Sequence, residues 1–416
     1  MDFALDSGNT AWVLMSTALV LFMTPGLAFF YGGMVRGKNV LAMLMQNIFA
    51  MGLLAILWAF LVFSLAFGDS GNAGFIGNLD YIFLKDVGIA GSPEEFFSFL
   101  TIPFILFCAF QMTFAIITPA LITGATADRL KFAGYAVFIG LWLVLVYGPV
   151  AHMVFAGGWL ADMGALDFAG GAVVHINAGA AALAVVLVIG ARKGHPGEHM
   201  PPHNLPFTVL GTGILWFGWA GFNAGSALAA DGIASQALIN TILAPAAAML
   251  GWLLVERFKS GHATTLGAAS GAVAGMVAIT PCAGFVGGMA PIYIGFIAGV
   301  VCYLALHIKA FFKFDDSLDV IAVHLVGGLL GSILLGFWAD PAINAVVTNP
   351  GLFITDGGTE LLVDQAVASG VTLAYSFVVS FLLAKVISAT IGLRVTPEQE
   401  DVGLDLALHA ETAYSN

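Results

Sequence analysis

The sequence predicts an all-α polytopic membrane protein with eleven transmembrane helices. Ten of them form an inverted five-plus-five repeat and one stands outside it, with the N-terminus outside and the C-terminus cytoplasmic. Three observations predict this. The chain is 60% hydrophobic and only 9% charged, with a mean hydropathy of +0.97, whereas a soluble domain carries about 25% charged residues. Apolar runs near 20 residues, the length that crosses a bilayer, recur along the whole chain. Finally, eleven of the thirteen Lys and Arg fall on one side if there are eleven such runs.

The runs cover approximately 10–35, 40–67, 98–124, 131–158, 168–190, 205–230, 236–256, 262–282, 286–308, 319–340 and 364–391. They are long and continuous, unlike the short alternating segments of a membrane β-barrel, and a single helix satisfies its own backbone in lipid. Arg36 and Lys38 follow the first run, Arg129 and Lys131 the third, and Arg192 and Lys193 the fifth. Arg257 and Lys259 follow the seventh, Lys309 and Lys313 the ninth, and Arg394 the eleventh. Lys85 alone falls on the other side, and Lys385 lies near the inner end of the last run. The positive-inside rule sets this basic side in the cytosol. Residues 1–391 then form the membrane domain and 392–416 a cytoplasmic tail. The first residues, Met1–Asp6, lack the basic start of a signal peptide.

An odd number of spans per half makes runs one to five and six to ten antiparallel, the inverted-repeat plan. The fifth member of each half carries the same polar pattern. Asp167-Phe-Ala-Gly-Gly-Ala-Val-Val-His175-Ile-Asn177 begins one, and Asp316 with His324 begins the other. In both, the Asp lies eight residues before the His, and a Gly (Gly179, Gly328) lies four after it. Ionisable groups inside a span are costly and usually face a cavity or a partner. Asp167 enters from outside and Asp316 from inside, which sets His175 and His324 near mid-membrane.

Elsewhere the composition serves packing. Gly267, Gly271 and Gly275 recur every four residues, as do Gly295 with Gly299 and Gly327 with Gly331, a spacing that lets helices approach closely. Three loops are expected, at 69–95 and 339–362 outside and 194–204 inside. His195, His199 and His203 in the inner loop have a metal-like spacing, but Pro196, Pro201 and Pro202 prevent the helix that would align them. Cys108, Cys282 and Cys302 lie in apolar runs with no CxxC spacing. No metal or cofactor is expected. The net charge of −12 comes with no basic cluster, so nucleic acid is not a partner.

The pattern also nominates chemistry. His175 and His324 read either as core histidines satisfied by neighbours or as two imidazoles in contact, offering donors and acceptors along a dry pore. Asp167 and Asp316 suit helix capping, and a carboxylate at an outer mouth would also favour a cation. Asp316 and Asp319 face the cytosol and cap or stabilise that end. Phe114, Phe155 and Phe222, with Ser226, lie toward the side from which Asp167 enters. A ring cage there would attract a cation by about 0.5–2 kcal/mol per ring when desolvated. A membrane-embedded metalloenzyme using His and Asp remains an alternative, although no third ligand stands at helical spacing beside either His.

At these residues the chain resembles the ammonium transporter/methylammonium permease/Rhesus family, in its bacterial or archaeal ammonium transporter branch. The resemblance rests on Phe30-Tyr-Gly-Gly-Met-Val-Arg-Gly-Lys-Asn39, the Asp167–Asn177 motif, Pro202-His-Asn-Leu-Pro206, Gly221-Phe-Asn-Ala-Gly-Ser226 and Val323-His324. Tail residues Gly403-Leu-Asp405, His409, Glu411 and Tyr414 also match. It implies eleven helices per subunit, a homotrimer in the cell (inner/plasma) membrane, and ammonium or ammonia as cargo, with methylammonium as an analogue. It further implies an external ammonium site of Phe155, Phe222 and Ser226, a gate of Phe114 and Phe222, and support from Asp167 beneath. His175 and His324 become the twin histidines of the pore, and a cytosolic PII-type protein the regulator. An ammonium sensor in the same fold is the alternative that this resemblance leaves. Family members usually carry Trp where Phe155 stands, and Phe keeps the ring face but lacks the indole N–H. Asp128 replaces a common Glu, and Ala410 a common Gly in the tail.

Overall fold

The computed structural model describes residues 5–71, 74–92 and 95–414. Most of the Met1–Asp6 start, parts of the 69–95 loop and the last two residues of the tail lie outside them. Among the described residues the only extended pairing is a single bridge between Leu130 and Arg394, and every other regular element is helical.

Among the described residues ten helices are long and apolar enough to cross a membrane, with an eleventh, shorter one among them. They are α1 Ser7–Met34, α2 Gly37–Phe67, α3 Phe104–Thr126, α4 Phe132–Asp162, α5 Gly171–Ile189 and α6 Leu205–Ala227. These are followed by α7 Gly232–Ser260, the short α8 Thr265–Ile279, α9 Ala290–Phe312, α10 Ile321–Trp338 and α11 Glu360–Thr390. The run expected over 262–282 thus yields a helix of 15 residues. Pro281 is the reason: it has no N–H to donate to the preceding turn, so although Thr280 before it keeps helical geometry (φ −53°, ψ −48°), the chain goes over into turns across 280–285.

Neighbour relations recur at an offset of five helices. α1 lies along α6, and α5 crosses α10. As α1 packs on α3, α2 on α3 and α3 on α5, so α6 packs on α8, α7 on α8 and α8 on α10. α11 stands apart from this scheme, against α4, α5 and α10. Glycines set the closest approaches. A Cβ on Gly295 or Gly299 would collide with the carbonyls of Ala244 and Ala248, and one on Gly331 with that of Ala278. Their spacing therefore serves backbone-to-backbone contact.

After α11 the tail folds back under the helix ends. Lys131 N–H donates to Leu393 O (2.9 Å) and Val395 N–H to Arg129 O (3.1 Å). Two short helices follow, α12 Pro397–Val402 and α13 Leu404–His409. Glu400 accepts from Arg394 (2.6 Å) and from the Lys193 N–H (3.0 Å). Asp405 accepts from Ala42 N–H (2.8 Å), and Leu404 N–H donates to the Asn39 side chain (2.8 Å). The tail therefore touches the segments after α1, α3 and α5 at once.

Ala410 closes α13 at φ 55°, ψ 33°. A residue with a Cβ is disfavoured in that left-handed region by about 1–2 kcal/mol, and Gly is not. Ala410→Gly should firm the tail by about 1 kcal/mol. Amide hydrogen exchange across 404–409 should slow roughly fivefold, and unchanged exchange would count against the strain.

Beneath the tail, Asp315 is buried and accepts a two-pronged contact from the Arg192 guanidinium (2.8 and 2.9 Å). Burial alone would raise this carboxyl. The hydrogen bonds from Arg192 and the charges of Arg129 and Arg192 outweigh it and hold the group well below the usual carboxylate range. With a folded value below the unfolded one of about 3.9, the stabilisation is complete above that pH and is lost as pH falls. Thermal melting between about pH 5 and about pH 3 should fall more steeply in the parent protein than in Asp315→Asn. Equal slopes would mean that the pair contributes little.

Candidate functional site

The site is built from two matching helix starts. The Asp167 carboxylate accepts four backbone N–H bonds, from Gly170 and Gly171 (2.8 and 2.7 Å) and from Ala172 and Val173 (2.8 and 3.2 Å). Gly170 has φ 117°, a geometry suited to glycine. From this cap springs a wide π-helical turn, Gly171–Ile176, which carries His175 and continues as α5. Asp316 repeats the design, accepting from Val320 (3.1 Å) and Ile321 (2.7 Å) at the start of a second π-turn, Ile321–Val326, which carries His324. Such turns are rare and frequent at functional sites. The eight-residue spacing is thus that of a capping carboxylate and an imidazole on the widened turn above it. Capping, expected of both carboxylates, is what both do. Asp316, however, is buried rather than facing an open surface, and Asp319 does not cap but pairs with Lys309 (2.5 Å).

The glycines four residues after each His explain how the two meet. A Cβ on Gly179 would stand 2.5 Å from Leu325 N, and one on Gly328 would stand 3.0 Å from His175 Cβ. Only because both lack a Cβ do α5 and α10 cross in backbone contact. The crossing brings the two Nδ1 atoms to 3.2 Å, with ring centroids 5.3 Å apart and planes 26° from parallel. At that distance one ring donates and the other accepts. His175 Nε2 is buried with no protein partner.

Both imidazoles line an apolar cavity with Phe30, Leu121, Trp219 and Phe222 among its walls. It leaves about 10 Å³ for the centre of a water-sized molecule, near the threshold for holding one. On one side the way is closed by the Phe114 and Phe222 rings, 4.4 Å apart and tilted by 47° rather than stacked flat. Both are nearly inaccessible. Beyond them lies a second pocket of about 110 Å³, whose lining includes Gln111, Phe114, Phe155, Phe168 and Ser226. Phe114 faces this second pocket and Phe222 the imidazole cavity, so the ring pair is the partition between them. The Ser226 hydroxyl donates to Phe222 O (2.7 Å), which leaves its oxygen lone pairs able to accept. Asp167 lines neither space, its oxygens being taken up by the backbone.

Sequence reasoning did not single out Trp219 or Gln111. Trp219 stacks on His175 (5.5 Å, 20°) and is held by an indole N–H bond to Thr280 (2.9 Å). Each lies three residues before a ring that was singled out, Phe222 and Phe114, and residues three apart share a helix face; that spacing was the available signal. The inner-loop histidines do not assemble. His203 faces Val35 O and the Tyr414 hydroxyl (3.0 and 2.8 Å), while His195 lies 3.5 Å from Asp315. Among the described residues no three His, Cys, Asp or Glu are grouped to hold a metal.

Comparison with known proteins bears on the whole chain. The model of the Ammonium Transporter Family matches residues 11–414. An ammonium transporter of Mycobacterium tuberculosis is 51% identical over 437 residues, covering 98% of this chain and 90% of that protein. The ammonium transporter Amt1 of Archaeoglobus fulgidus is 45% identical, covering 99% of this chain and all of its own length (100%). Among solved structures, Saccharomyces cerevisiae Mep2 superposes with a TM-score of 0.88 at 34% identity, covering 95% of this chain and 89% of its own. A structure titled sensor Amt protein gives 0.87 at 29% identity, covering 97% of this chain and 98% of its own.

Proposed function

Because the chain belongs to the Ammonium Transporter Family, a family of multi-pass membrane transporters rather than enzymes, we propose how it moves ammonium. The cation is gathered in the outer pocket by Phe155, Phe114 and the Ser226 oxygen. It gives up a proton at the Phe114/Phe222 partition and crosses the inner cavity as ammonia, passed along His175 and His324. One observation carries this reading: a joined imidazole pair in a narrow apolar cavity, behind two closed rings, with an aromatic pocket in front.

Magnitudes favour it over passage of the intact ion. Ring contacts supply about 0.5–2 kcal/mol each, enough to concentrate a cation at the mouth. Carrying an unpaired charge through an apolar cavity costs tens of kcal/mol by Born solvation, far beyond what a few rings return. Ammonia carries no such penalty, and an imidazole edge replaces one of its lost hydrogen bonds. Asp167 acts from beneath, orienting the α5 start and lending negative charge without touching the cargo.

The same reading extends to the architecture. The offset-of-five neighbour pattern supports an inverted five-plus-five repeat, in which the short α8 and the turn after it make the eleventh crossing. The basic residues support a cytosolic tail, with residues 1–391 as a plasma-membrane domain and 392–416 as a regulatory tail. The resemblance adds a homotrimer and a PII-type regulator that contacts the tail. Likeness to a sensor Amt protein favours one second reading, in which binding signals and flux is incidental.

Proteoliposomes holding only this protein test both readings. Uptake of methylammonium driven by its own gradient supports transport, and binding without uptake supports the sensor. A current that accompanies uptake means that the proton crosses by a separate route; uptake without current means that it stays behind.

A further inference from the structure

Over 392–416 the tail carries one basic residue, Arg394, against five acidic ones, so it is short of counter-ions. Glu400 pairs with Arg394 and Asp401 with Lys193. Asp405 and Glu411 make no ion pair among the described residues.

Both line one cavity, of about 350 Å³, between the tail and the start of α2. That is the size of a small-molecule site. Asp405 is 2% exposed; its Oδ1 accepts from the Ala42 N–H (2.8 Å), whereas its Oδ2 is buried with no hydrogen-bond partner. Burial pushes this carboxyl up, as it does any carboxylate lacking a counter-ion. Lys38, on the same wall, does not supply one, because its ammonium donates to the carbonyls of Glu400 and Asp401 (2.9 and 2.6 Å). Tyr414 has its hydroxyl taken up by His203 Nε2 (2.8 Å), which leaves its ring to a ligand. Val402 and Leu406 make the wall partly apolar.

We infer that this cavity binds a small organic molecule bearing a primary ammonium group. The ammonium group donates to Asp405 Oδ2 and to Glu411 beside the Tyr414 ring, and the carbon body lies against Val402 and Leu406. A buried, unpartnered acceptor calls for an N–H donor, and a second carboxylate calls for a positive one. The aromatic ring adds cation–π attraction. Apolar walls favour a carbon body over a bare metal ion, and among the described residues no third His, Cys, Asp or Glu joins the pair as a metal ligand. A molecule held there ties α13 to the start of α2, so it fastens the tail to the membrane domain. The inference rests on the proposed orientation only in drawing its ligand from the cytosol.

Amide hydrogen exchange over 402–414 in the full-length protein, with n-butylammonium as probe, tests it. At about ten times its dissociation constant the probe should slow exchange there about tenfold. Tetramethylammonium has no N–H to donate and should give little protection. E411Q, whose parent side chain makes no ion pair, should weaken the probe about two- to fivefold. D405N should abolish the response, and its exchange without probe separates any loosening at Ala42 from lost binding. H175L should respond like the parent, and E411Q should take up methylammonium like the parent, so this inference and the transport reading fail separately. No protection of the parent would overturn the inference. So would equal protection by tetramethylammonium or by ammonium chloride, or protection that survives in both E411Q and D405N.

Discussion

Replacing Asp167 with Ala should leave little folded protein. Four N–H groups of buried residues, Gly170 to Val173, give their hydrogen bonds to this one carboxylate. Each buried donor left without a partner costs about 1–3 kcal/mol. Together they reach at least about 4 kcal/mol, much of a typical stability of about 5–15 kcal/mol. Asp167→Asn separates structure from charge. The amide oxygen can still accept two of the four bonds, whereas its NH₂ points a donor at the other two. The Asn variant should fold with a lowered melting temperature and reduced uptake, and the Ala variant should be recovered poorly. If Ala melted like the parent, the cap would not be what organises the α5 start.

His175→Leu is the second large effect, and it should fall on uptake, with a stability cost of at most about 1–3 kcal/mol from leaving the buried His324 Nδ1 without its partner. Leu fills a similar volume among apolar neighbours, and the lost bond is the single Nδ1 contact to His324. A polar solute in the cavity then loses its hydrogen-bonding partner, worth about 1–3 kcal/mol, so uptake should fall roughly 5- to 150-fold. Methylammonium uptake in proteoliposomes reads it, with melting temperature as the control. Parent-like uptake would remove His175 from the path.

Much of this was legible in the chain. Sparse charge and repeated apolar runs announce the membrane helices, and the matched Asp, His and Gly positions point to the paired imidazoles. The rest was hidden for physical reasons. Local apolarity over 262–282 could not reveal that Pro281 halts the helix early, because hydropathy does not register a missing N–H. The π-turns under His175 and His324 have no residue signature: two others, Trp58–Val62 and Leu143–Tyr147, form with no capping carboxylate at all. The tilt of Phe114 on Phe222, and the place of Trp219 behind His175, depend on contacts between α3, α5 and α6 that no single segment encodes. Phe114, Phe155 and Ser226 do share a pocket, yet Asp167 takes no part in its wall; sequence spacing could suggest proximity but not which way the carboxylate points.

Gly179 against Leu325 and Gly328 against His175 have one more implication. Proteins made of oppositely threaded halves commonly work by rocking one half against the other. In the proposed repeat the two central helices meet at Gly179 and Gly328 with no glycine Cβ between them, so the proposed conduit should behave as a fixed bore. On the proposed mechanism, turnover should then reflect what the bore admits and the small swing of the Phe114 and Phe222 rings. A bulky side chain installed at Gly328 should jam the passage outright, not merely slow a cycle of large movements.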